Sequence, residues 1–327
     1  MKIILNSLYF VCFLLLAACG NKMSKSIENE PRGGKPTAVS LLSDYGFERG
    51  LFLKGAASGV PSAGESIYPF GGQGQKPVWE LAEWASKYLL HQSDMVEKEG
   101  TKVYQNKGKL VSFRREGKST HVRMDVTASA EYNHPRKQNE AWPHLLIEQA
   151  FPSKPLLKDM EDLTLFFEGR LVDCISKMPE NTFDPGLHAA QFQIFITVQD
   201  LNPQSPKYGD YLWFGVPFYD YRHKKNSVYA AQDVGKGDAT GKFIYSLGTD
   251  DYMEGSFHDK QWIKIEKDIK PFIIKALGIA KERGYLTGSA LDDFGLTSMN
   301  LGWEVPGTFD AGFEFSGFDL MYTPVQN

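Results

Sequence analysis

Cysteine is scarce in this chain, with three in the full sequence, at positions 12, 19 and 174. A disulfide framework is therefore excluded, and no Cys/His group has the spacing of a zinc site. Basic runs are also missing. Lysine and arginine total 36 against 40 aspartate and glutamate, for a net charge of -4, and no basic stripe stands out, which excludes nucleic acid as a partner class. The sequence has no apolar run of the roughly 20 residues needed to span a bilayer as a helix. Gly-Gly-Gln-Gly at 71–74 is not followed by Lys-Ser/Thr, so it is not a phosphate loop. No internal repeat is evident.

The longest apolar stretch lies at the start. Met1-Lys2 is followed by Ile3 to Leu16, apolar apart from Asn6 and Ser7, and then by Leu16-Ala17-Ala18-Cys19. A short apolar core ending in small residues has the form of a secretion signal. Leu-Ala-Ala-Cys resembles the lipobox of bacterial lipoproteins, which implies cleavage before Cys19, lipid on that cysteine and residence in the cell envelope. Gly20 at the next position implies the outer membrane by the same resemblance. Residues 1–18 are thus expected as a signal peptide, 19–40 as a lipidated, flexible tether, and 41–327 as a single domain. Losing the signal removes Lys2 and no acid, so the charge moves to -5. Cys174 then remains as a lone thiol, and the fold has to be held by its core.

Aromatic residues make up 13% of the chain and glycine numbers 31, a composition suited to strands between tight turns. Period-two alternation predicts strands over residues 121–130, 142–151, 163–174 and 188–199, with shorter ones at 211–218, 242–247 and 261–265. Residues 101–113 form a hairpin around Asn106-Lys107-Gly108, and 296–322 form two closing strands around Pro306-Gly307. A helical stripe is expected over 77–90, and a second helix starts near Asp268, accommodates Pro271 in its first turn and ends at Gly284. Many strands and no βαβ rhythm indicate an all-β, antiparallel two-sheet sandwich with one or two peripheral helices. Its strand rhythm resembles the jelly-roll sandwiches of concanavalin A-like lectins and glucanases over roughly residues 60–325. The resemblance implies glycan handling but assigns no catalytic residue, since the acidic strand motif of the retaining glucanases is absent.

On the non-core sides of the long strands lie His144, Glu148, Glu168, Arg170, Gln191 and Gln193, joined by Tyr211 and Trp213 from the next strand. Amides, carboxylates and aromatic rings together suit sugars, which offer hydroxyls for paired hydrogen bonds and apolar ring faces for stacking. The same residues also suit an ordinary solvated sheet face. Glycosidic hydrolysis would call on Glu148 and Glu168 as a carboxylate pair. A lyase would use His144 as base, with Arg170 or Gln193 facing a sugar carboxylate. Three readings follow: a lipid-anchored polysaccharide binder, a hydrolase or lyase on the same face, and a structural envelope protein without a glycan ligand. No cofactor is called for. Asp233 to Gly241 and Thr249-Asp250-Asp251 depart from the calcium-loop pattern and are read as turns. Trp303 is expected in the core beside its turn.

Overall fold

Alternating sequence becomes strand wherever one face can be buried. The computed structural model describes residues 37–55, 64–234 and 239–326. Its early strands are β1 (Val39–Ser40), β2 (Leu51–Lys54), β3 (Ser66–Ile67), β4 (Trp79–Ala82), β5 (Met95–Lys98), β6 (Thr101–Gln105), β7 (Lys109–Glu116) and β8 (Ser119–Thr127). A single helical turn, α1 (Ala128–Glu131), precedes β9 (His144–Ala150), β10 (Met160–Ser176), β11 (Gln191–Asp200), β12 (Tyr211–Asp220), β13 (Tyr229–Gln232), β14 (Phe243–Ser246) and β15 (Ile263–Asp268). The helix α2 (Lys270–Glu282) and the strands β16 (Phe294–Glu304) and β17 (Phe309–Pro324) complete the chain. Residues 1–36, including Cys19 and most of the expected tether, lie outside the described residues, as do 235–238. Val39 and Ser40, within the stretch expected as tether, pair with Tyr322 and Met321.

The strands form two sheets. The first runs β15-β10-β17-β8-β7-β6-β5, with β1 also on β17; the second runs β13-β14-β12-β11-β16-β9-β4-β2-β3. The long strands alternate between them, β9 in the second, β10 in the first, β11 in the second, as a jelly-roll sandwich requires. Pairing is antiparallel except for β2 with β4 and β12 with β14, which are parallel. The expected all-β sandwich is therefore what the chain forms, with two pairs departing from the antiparallel rule.

Between the sheets, Leu163, Leu165, Phe167 and Leu171 of β10 meet Phe192, Ile194, Ile196 and Val198 of β11, all buried. Phe192 stacks on Phe313 of β17 with ring centroids 4.1 Å apart, and Phe167 stacks on Phe218 of β12 at 3.9 Å. Each such ring contributes about 1.5–3 kcal/mol by burial, and an aromatic pair roughly 0.5–1.5 kcal/mol more. Trp303 is buried, as expected, and its indole N–H donates to the Met124 carbonyl at 2.8 Å, tying the second sheet to the first. Helix α2 buries Ile273, Ala276, Leu277 and Ala280. Asp268 Oδ1 accepts from Lys270 N at 3.0 Å just before that helix, and Gly284 follows it at φ +86°.

The helical stripe expected over 77–90 is not a helix. Residues 79–82 are strand β4, with Trp79 and Leu81 buried and Glu80 outward. The Trp79 indole donates to the Asp44 carbonyl at 2.9 Å, and pairing with β2 and β9 outweighs the local helical period. Beyond β4 the chain turns, with Ala85 at φ +55°.

The turn after β4 meets the β6–β7 hairpin in a buried charge cluster. Lys109 Nζ lies 3.2 Å from Glu83 Oε1, both side chains 1% exposed, and donates to the Tyr88 carbonyl at 2.7 Å. Ser86 Oγ bridges Lys109 to Glu131, whose other oxygen accepts from Lys87 N at 2.6 Å. Burial holds the Glu83 carboxyl above its ordinary pKa despite the adjacent ammonium. A Cβ on Gly108 would sit 2.5 Å from Glu131 Oε1, which is why the hairpin carries glycine there.

Candidate functional site

Register decides which polar residues share a face. In the second sheet the neighbours β9, β16, β11 and β12 bring His144, Glu304, Gln191 and Asp220 side by side in one row. The next outward row holds Leu146, Gly302, Gln193 and Pro217, and the one after it Glu80, Glu148, Asn300, Phe195 and Gly215. Farther along, Thr197 faces Trp213 and Gln199 faces Tyr211. Six of the residues singled out from sequence (His144, Glu148, Gln191, Gln193, Tyr211 and Trp213) therefore lie on the outer face of the second sheet.

Glu168 and Arg170 do not. They belong to β10 in the first sheet, where they pair with Lys264 and Ser316, and with Glu314. Their neighbours Phe167 and Leu171 point into the core, so they face outward on the opposite side. With sheets stacked about 10 Å apart and both side chains directed away from the core, Glu148 and Glu168 are too far apart to work as a carboxylate pair. Arg170 is occupied where it stands, its Nε and Nη2 donating to Glu314 Oε2 at 3.1 and 2.8 Å. Period-two alternation tells which way a side chain points relative to the core but not to which sheet its strand belongs.

The row through His144 is joined in part by side-chain hydrogen bonds. His144 Nδ1 lies 3.0 Å from the Trp142 carbonyl. That oxygen can only accept, so Nδ1 carries a proton. Nε2 is 3.5 Å from Glu304 Oε2. Gln193 Nε2 donates to Glu304 Oε1 at 3.4 Å. On the other side, Gln191 Nε2 donates to Asp220 Oδ2 at 2.9 Å. Arg222 holds the same carboxylate through Nε at 2.8 Å and Nη2 at 2.6 Å.

Aromatic rings flank the row at its His144 end. His144 stacks on Trp142 with centroids 5.7 Å apart and lies 5.5 Å from Trp84; the Arg136 guanidinium sits 4.5 Å over Trp142. Tyr211 and Trp213 meet edge to face at 5.2 Å on the same sheet face, but well away along β12 from Asp220. In the next row Gly302 has φ +152°, and a Cβ there would fall 2.1 Å from the Leu145 carbonyl oxygen, so the close approach of β16 to β9 requires glycine.

Glu148 is positioned differently from the catalytic role expected of it. Lys54 Nζ donates to it at 2.6 Å and lies 2.9 Å from Glu80. Burial raises the Glu148 pKa above the usual carboxylate value, with Lys54 opposing. Burial acts to lower Lys54, but Glu148 and Glu80 outweigh it and hold the ammonium above its ordinary value. The pair is thus a shielded ion pair beside the row. Glu304, Trp84 and Trp142 were not among the residues chosen from sequence, and Asp220 and Arg222 were expected at a strand end that could rim a groove. Glu304 carried a usable signal: with Trp303 inward, its neighbour in the strand must point outward. Among the described residues, no group of three or more His, Cys, Asp or Glu side chains is placed to hold a metal ion.

Neither a protein-family profile nor a curated protein sequence matches the chain. Solved structures with a similar course of the chain include a thermostable cellulase derived from Cel12A of Rhodothermus marinus, 15% identical, with 74% of this chain and 99% of that one covered and a TM-score of 0.39. A family 12 xyloglucanase from Bacillus licheniformis is 10% identical over 71% of this chain and 98% of that one, with a TM-score of 0.42. The xyloglucanase domain of NopAA from Sinorhizobium fredii, in complex with cellobiose, is 12% identical over 70% and 95%, with a TM-score of 0.35. At these identities and scores no residue role is transferred from them.

Proposed function

We propose that the chain is a carbohydrate-active protein that takes a neutral glycan on the outer face of its second sheet, with glycosidic hydrolysis centred on Glu304. The observation that carries this reading is the row Trp142–His144–Glu304–Gln191–Asp220, a carboxyl 3.5 Å from an imidazole, beside amides and with aromatic rings at one end. That combination supplies a general acid for a leaving oxygen, paired hydrogen bonds for sugar hydroxyls and stacking surfaces for ring faces. Neutral sugars are favoured because the cations Lys54 and Arg222 on this face are already held by carboxylates. Of the two groups expected to meet a uronate, Arg170 is on the other sheet and only the uncharged Gln193 stays on this face, so the lyase route is the weaker one.

A second reading, capture without cleavage, is favoured by the amides at 191 and 193, which stand where a second carboxylate beside Glu304 would be. The anchoring expected from Cys19 fits either reading: lipid on that cysteine would hold the domain at the outer membrane, where polysaccharide is met. The test is a panel of neutral and uronate polysaccharides, scored for binding by affinity electrophoresis and for product by reducing ends. Binding and product with neutral glycans support hydrolysis, and binding alone supports capture. A chain that binds none of them, or only the uronate polymers, sinks the proposal. Globomycin treatment of cells, followed by a mass shift at the N-terminus, checks the anchor.

A further inference from the structure

We infer that Gln191 decides the fate of a glycan on this face, by withholding the second carboxylate that cleavage with retention of configuration requires. The inference rests on the glycan reading above. Gln191 and Glu304 are direct partners across the antiparallel β11–β16 pair. Such partners have Cβ atoms about 4.5–5.5 Å apart, the same range as the roughly 5–5.5 Å between the two carboxyls of a retaining glycosidase. The position is therefore spaced for a nucleophile, and an amide fills it.

The other neighbours of Glu304 do not substitute. His144 faces it from β9 and Gln193 donates to it. Asp220 is two strands away, about 10 Å between backbones, and its carboxylate is engaged by Gln191 and Arg222. The orientation of Gln191 is also settled: Asp220 can only accept, so Nε2 points to it.

Retention needs two balanced steps. A carboxylate oxygen at position 191 would form a bond to the anomeric carbon as the glycosidic C–O bond breaks, and the leaving oxygen would take the proton from Glu304. Water would then give its proton to the Glu304 carboxylate, and its oxygen would displace the carboxylate from the same carbon. A neutral amide offers no negative charge to the sugar cation that develops in the first step, so the native chain can bind, or cleave with inversion, but not retain.

The experiment compares the native chain with Gln191→Glu, and uses Gln193→Glu as a control one position along the same face. Glycan binding is measured by affinity electrophoresis, product by reducing ends, and the configuration of the freshly released end by proton NMR before mutarotation. The native chain should bind without retained product. Gln191→Glu should still bind and should release retained product at roughly a hundredfold or more above native and above Gln193→Glu. Should Gln191→Glu misfold against Asp220, Gln191→Gly with added formate supplies the carboxylate from solution, and product should then depend on formate. Retained product from the native chain overturns the inference while leaving the glycan reading standing. So does a folded Gln191→Glu that binds and releases nothing, or a formate-treated Gln191→Gly that binds and stays inert. A native chain that binds no glycan ends both.

Discussion

Replacing Lys109 by methionine is expected to produce a stability deficit that grows with pH. The substitution keeps most of the apolar stem and removes the ammonium that lies 3.2 Å from Glu83. Glu83 is then a carboxylate with 1% of its side chain exposed and no cation beside it, while its hydrogen bond from Leu90 N at 2.9 Å remains. The cheapest escape is to bind a proton. From the ordinary value of 4.5, protonation costs about 1.4 kcal/mol for each pH unit above it, or about 3 kcal/mol at pH 7 and under 1 kcal/mol at pH 5. The sign follows from the folded pKa being raised. The folded state holds a proton that the unfolded state has released, so stability falls as pH rises from about 4.5 through the elevated folded value. The figure at pH 7 agrees with the roughly 3–5 kcal/mol lost when a buried ion pair loses one partner. For a chain of this size that lowers the melting temperature by about 5 °C. Thermal unfolding of native and Lys109→Met protein from pH 5 to pH 8 measures it. The double variant Lys109→Met/Glu83→Gln should recover most of the loss at pH 7. A deficit equal at every pH, or a double variant no better than the single one, would refute the electrostatic account.

Other expectations can be checked directly. Gly302→Ala should destabilise the fold by at least about 2 kcal/mol, because its Cβ would meet a backbone oxygen of β9 2.1 Å away; urea unfolding reads this, and a loss under 0.5 kcal/mol contradicts the close approach. Burial pushes the Cys174 thiol up to about 12 from 9.0, so alkylation of that residue at pH 8, followed by peptide mass, should run about a thousandfold slower than for an ordinary thiol. Glu304→Ala should weaken glycan binding roughly tenfold, as loss of a charged hydrogen-bonding group does, and should abolish any product; unchanged affinity in calorimetry would place the glycan elsewhere.

The strand β11 could be read almost residue by residue, since Phe192, Ile194, Ile196 and Val198 alternate with amides and threonine, and Phe195 remains on the outer face as the exception the sequence shows. The closing strands and the hairpin at Asn106–Gly108 were equally legible, because turn chemistry and period agree there. What could not be read is the partner of each strand. Glu148 and Glu168 look equivalent in sequence, yet pairing sends one to each side of the sandwich. The stretch 77–90 misled for a related reason: its three- and four-residue steps fit a helix, but burial of Trp79 between β2 and β9 decides its conformation. Lys109 and Glu83 carry no sequence mark of their burial, which arises from a turn closing over a hairpin. Glu304 was overshadowed by the tryptophan beside it.

The strands at the middle of both layers, β16 between β11 and β9 and β17 between β10 and β8, come from the last part of the chain. During synthesis, β8, β9, β10 and β11 must therefore wait with open edges until residues 294–324 have been made. Pairing over such long separations is slow, and unpaired edges invite association with other chains. A nascent chain of this kind depends on being shielded until it is released, and cutting it short at Asp293 would deprive both layers of their keystones at once.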